Sequence, residues 1–72
     1  MKMIENYLSK NYQWKYEYKT SYITTNKKDI HIHFTPKTNI DKFITWLSKL
    51  NCKILAIWNY EYYGISLKVR TK

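Results

Sequence analysis

Met3, Ile4, Tyr7 and Leu8 are apolar, and Glu5, Asn6, Ser9 and Lys10 fill the other side. That spacing predicts a short amphipathic helix over about 3–10. From Tyr12 the period changes to two. Tyr12, Trp14, Tyr16 and Tyr18 alternate with Gln13, Lys15, Glu17 and Lys19 and run on to Tyr22 and Ile23. An aromatic-rich alternation of this kind predicts a half-buried strand over 12–23. The polar stretch 24–29 reads as a hairpin loop. Ile30, Ile32 and Phe34 then alternate with His31 and His33 in a second strand, 29–35. Pro36 ends it, having no N–H for a ladder and holding Thr35 extended.

Ile40, Phe43, Ile44, Leu47 and Leu50 form one apolar stripe, which predicts a second helix over 39–50. Thr38 or Asn39 can cap it, Asp41 suits its positive end, and Asn51 can stop it. After Lys53 the run Ile54-Leu55-Ala56-Ile57-Trp58 is apolar at every position, the pattern of an interior strand over 53–59. The sequence from Asn59 to Tyr62 should turn the chain. Gly64, the one glycine, suits a bulge or turn end that needs positive φ. Ile65, Leu67 and Val69 alternate with Ser66, Lys68 and Arg70 in a last strand over 64–70.

The order α-β-β-α-β-β predicts an α+β fold, a four-stranded and mostly antiparallel sheet with both helices on one face. The strands flanking the second helix can run parallel through a crossover. Residues 1–72 read as a single small domain. The expected core is Met3, Ile4, Leu8, Ile30, Ile32, Phe34, Ile40, Phe43, Ile44, Leu47, Leu50, Ile54, Ala56, Ile57, Ile65, Leu67 and Val69. Eight Tyr and three Trp overfill so small a core. Some of those rings must therefore lie at a rim, on the open sheet face or in a homodimer interface.

Composition narrows the function classes. Thirteen Lys and Arg against five Asp and Glu give a net charge of +8. Twelve of the thirteen cations are Lys, and Lys, Ile, Asn and Tyr make up 35 of the 72 residues. All four use AT-rich codons, so part of the charge reflects base composition, and a virus, phage or other mobile element is the expected source. No apolar run approaches the roughly 18 residues of a membrane-spanning helix. Acid and polar groups near the start argue against a secretory leader, so an intracellular, cytoplasmic location is expected. One cysteine excludes a disulfide framework, one glycine excludes a P-loop, and five scattered acids form no catalytic pair.

If the apolar alternates of the strands face the helices, then His31, His33, Ser66, Lys68 and Arg70 share the open face, joined by Lys15 and Lys19. Tyr60 and Tyr62 stand at its edge. Cations that follow phosphates beside rings on which bases stack suit single-stranded nucleic acid. Neither helix is basic enough to occupy a major groove. Trp46 lies off the stripe of the second helix beside Lys42 and Lys49, a pattern that suits a protein interface. The alternative reading is therefore a viral inhibitor that contacts a host enzyme or defence complex.

His31 and His33 stand about 6.6–7 Å apart on one side of a strand. A metal site needs further ligands, and no acid or thiol is placed by spacing to supply one. His31-Ile32-His33 on a strand, with Tyr7-Leu8-Ser9-Lys10 on a helix, resembles the paired motifs of the HUH single-strand endonucleases. The resemblance implies metal ligation by His31 and His33 and attack on a DNA phosphate by Tyr7, with Lys10 completing the motif. The chain departs from that family in being short for a five-stranded core and in placing Tyr7 on an apolar stripe. The expectation is a binding protein rather than an enzyme, with no cofactor and no metal.

Overall fold

The computed structural model describes residues 2–24 and 27–71. Its order is α1 (Lys2–Asn11), β1 (Tyr16–Tyr22), β2 (Lys28–Phe34), α2 (Asp41–Lys49), β3 (Lys53–Tyr60) and β4 (Gly64–Arg70). The fold is the expected α+β arrangement. The strands form one sheet in the order β1-β2-β4-β3, with every neighbouring pair antiparallel. β2 and β3 both oppose β4, so the strands flanking α2 run parallel, with β4 between them. Thr25 and Asn26, in the expected hairpin loop, lie outside the described residues.

The core is built from single faces. Ile4 and Leu8 of α1 and Phe43 and Leu47 of α2 are fully buried with Ile30, Ile32 and Phe34 of β2 and Leu67 and Val69 of β4. Those strand residues share one side of the sheet, so both helices cover that side. Partly buried Tyr16 and Tyr18 join from β1, turning Glu17 and Lys19 to the other side. α2 starts where Asn39 Oδ1 accepts the Asp41 N–H at 3.0 Å. It stops at Asn51, whose φ of 59° is the left-handed conformation that asparagine tolerates beyond a helix end.

Three expectations are corrected. The run 54–58 is not interior: among the described residues β3 pairs only with β4 and forms a sheet edge. An apolar run shows that both faces carry apolar groups, but not that both are covered. Ile57 is accordingly 52% exposed and Trp58 40%. Second, the first strand starts at Tyr16, because α1 runs through Asn11 and residues 12–15 form a turn. The Tyr12 N–H still donates to Leu8 O, and the Lys15 N–H closes on Tyr12 O at 2.9 Å. Tyr12 is buried against Phe34 and Phe43, whereas Trp14 takes a φ of 65° and is 95% exposed. Third, Met3 is exposed rather than in the core, its neighbour Ile4 taking the buried position.

Candidate functional site

The side of the sheet opposite the helices is assembled by register. β1 opposes Glu17 to His33 and Lys19 to His31, and β4 opposes Ser66 to His33, Lys68 to His31 and Arg70 to Asp29. β3 adds Trp58 opposite Ser66, Ala56 opposite Lys68 and Lys53 opposite Arg70. A slip between Ile54 and Ala56 makes Leu55 a bulge. The bulge lets Ile54 pack toward the core while Ala56, Trp58 and Tyr60 turn to the open face. The central row is thus Lys19, His31, Lys68 and Ala56. Trp58 meets the His31 ring edge-on at 6.0 Å, and Tyr60 lies 6.4 Å from the His33 ring. Lys19, Ser21, Asp29, His31, Trp58 and Lys68 line a shallow hollow of about 400 Å³.

The charges of this face are unequally free. Arg70 is engaged by Asp29, Nε donating to Oδ1 at 2.9 Å and Nη2 to Oδ2 at 3.2 Å. Lys68 Nζ stands farther off, 4.0 Å from Asp29 Oδ2. The Arg70 hydrogen bonds hold the Asp29 carboxyl below its usual range, helped by the Arg70 and Lys68 charges and opposed by desolvation. The same carboxylate pushes the Arg70 guanidinium further up. Lys19 and Lys68 are therefore the more available cations for an incoming anion.

The two histidines also differ. His31 is exposed. His33 is held at both ring nitrogens, Nδ1 at 2.6 Å from Ser66 Oγ and Nε2 at 2.6 Å from the Tyr63 carbonyl. A carbonyl only accepts, so Nε2 carries a proton and Nδ1 is left to the Ser66 hydroxyl. A metal would have to break one of these bonds. Among the described residues no three His, Cys, Asp or Glu side chains cluster as a ligand set. Tyr7, the attacking residue implied by the endonuclease resemblance, is half-buried and stacks on Trp46 with ring centroids 4.0 Å apart.

Of the residues marked from the sequence, Lys19, His31, His33, Lys68, Arg70 and Tyr60 come together on this face. Lys15 does not: it precedes β1 and lines another hollow with Tyr7, Asn11, Tyr12, Lys37 and Lys42. Tyr62 is in the β3–β4 turn, 79% exposed. Trp46 spends one ring face on Tyr7 and borders a separate depression with Lys42 and Lys49. Trp58 and Lys53 were missed. Centring the last hairpin on 61–63 would have found Trp58, because pairing Tyr60 with Gly64 sets Trp58 beside the outward Ser66. Cys52 is half-buried, and desolvation raises its thiol pKa, the opposite of an activated nucleophile. No helix among the described residues is long and apolar enough to cross a membrane. The chain matches no protein-family model, no curated protein and no solved structure.

Proposed function

We propose that the open sheet face binds single-stranded nucleic acid, without catalysis. The observation that carries this reading is the juxtaposition of Lys19 and Lys68, both exposed, with the rings of His31 and Trp58 around one shallow hollow. Phosphates would meet the two lysines and Lys53, while a splayed base stacks on Trp58 or Tyr60. An open sheet face with rings at its edge suits a strand whose bases are unpaired better than a duplex, which hides its base faces.

Titration of labelled single-stranded DNA and RNA 12-mers, with a duplex control, tests this. If three lysines displace counterions, log affinity should fall against log salt with a slope of about −2. Trp58→Ala should lose about 1–3 kcal/mol of stacking. Lys19→Glu with Lys68→Glu should weaken binding far more than Lys42→Glu with Lys49→Glu on the helical side. Equal losses from both pairs, or no binding at low salt, would refute a dedicated face.

A host-protein inhibitor is the second reading. Trp14, Tyr62 and Tyr63 favour it, being 95%, 79% and 76% exposed in turns, where rings suit insertion into a partner. No oligonucleotide binding at low salt, together with capture of a host protein that is lost on changing Trp14, Tyr62 and Tyr63 to Ala, would move the function there.

A further inference from the structure

We infer that β3 is the seam of a homodimer, pairing antiparallel with β3 of a second copy so that two sheets become one. The sheet has two free edges. β1 carries Glu17 and Lys19 within its seven residues, charges of the kind that protect an edge from pairing. β3 carries Lys53 at its first position and no other charge through Tyr60. Its Ile57 points to the helical side yet is 52% exposed, beyond what the helices cover.

The occupant is identified by self-complementarity. With a two-fold axis through Ile57, each Ile57 meets its own copy beneath the sheet, the side already packed on the core. On the open face Ala56, the smallest side chain of the strand, falls opposite Trp58 of the second copy, so a small residue receives a large one twice. With Leu55 bulged out of the count, the same register sets Lys53 opposite Tyr60 of the other chain, beside Glu61 where that chain begins its turn, again twice. An isologous contact requires this reciprocity, and β3 supplies it in shape and in charge. The paired open faces would then form one continuous surface.

Cysteine cross-linking in a Cys52→Ser background, without nucleic acid, reads the seam directly. Ile57→Cys should oxidise to a covalent dimer at least about ten-fold faster than Thr20→Cys on the other edge, because pairing raises the local thiol concentration. Glu61→Lys should weaken association by about three-fold or more, and Glu17→Lys, which changes net charge equally, should weaken it less. Lys53→Glu with Glu61→Lys should restore association to within about two-fold of the parent. Self-association should strengthen with salt as the repulsion between two +8 chains is screened, opposite in sign to oligonucleotide binding. The two proposals therefore fail independently. Equal cross-linking at both edges, or no rescue by the charge exchange, would overturn the seam.

Discussion

Arg70 grips Asp29 with two hydrogen bonds, Nε to Oδ1 at 2.9 Å and Nη2 to Oδ2 at 3.2 Å. The pair joins β2 to β4 on the open face and removes much of one cation from the charge available there.

A pH dependence follows. The Asp29 carboxyl is lowered in the folded chain, chiefly by the Arg70 hydrogen bonds. Its stabilising contribution is complete above the ordinary carboxylate range and is lost as pH falls through the lowered folded value. Urea unfolding from pH 7 down to pH 2 should show this loss in the parent. Asp29→Asn should be less stable at pH 7 and have a flatter acid limb. The same change releases Arg70 and deletes an acid from the face, so it should tighten oligonucleotide binding.

His33 and His31 should separate in stability. His33→Ala leaves the buried Ser66 hydroxyl and the Tyr63 carbonyl without their ring partner. A cost of about 1–3 kcal/mol is expected in urea denaturation. His31→Ala, at an exposed position, should cost less than about 0.5 kcal/mol.

Gly64 should not tolerate a side chain. Its φ is 107°, and a β-carbon added there would collide with the Phe34 carbonyl and approach His33 Nε2 at 3.2 Å. Gly64→Ala should destabilise by about 2–4 kcal/mol, combining backbone strain with displacement of the neighbouring strand. Thermal unfolding reads the loss directly.

Tyr18→Phe should stabilise. The Tyr18 hydroxyl is buried without a hydrogen-bond partner among the described residues, and desolvation raises its pKa. Deleting an unsatisfied polar atom while keeping the ring should gain about 1 kcal/mol in urea denaturation.

Local periodicity determined much of this protein. The stripe Phe43 and Leu47 and the alternations Ile30, Ile32, Phe34 and Leu67, Val69 specified which elements form and which side each buries. They do so because burial follows the 3.6- and 2-residue periods of the backbone itself. Gly64 was legible for a different reason, a φ of 107° being cheap for glycine, which has no β-carbon. The open-face set Lys19, His31, His33, Lys68 and Arg70 followed as the complement of the buried set.

Strand order was decided only in three dimensions. The run 54–58 reads identically at a sheet centre and at an edge, and what placed it at the edge is β4 lying between it and β2. The Leu55 bulge, which turns Trp58 outward, depends on how β3 registers against β4. Tyr12 and Trp14 continue an alternation yet sit in a turn, because α1 carries its hydrogen bonding on to Tyr12 and the Tyr12 ring finds Phe34 and Phe43. The clamp of Asp29 on Arg70 and the tether of His33 to Ser66 and Tyr63 join residues 30 to 41 positions apart. No local pattern encodes such pairs; they exist because antiparallel register carries distant side chains to the same face.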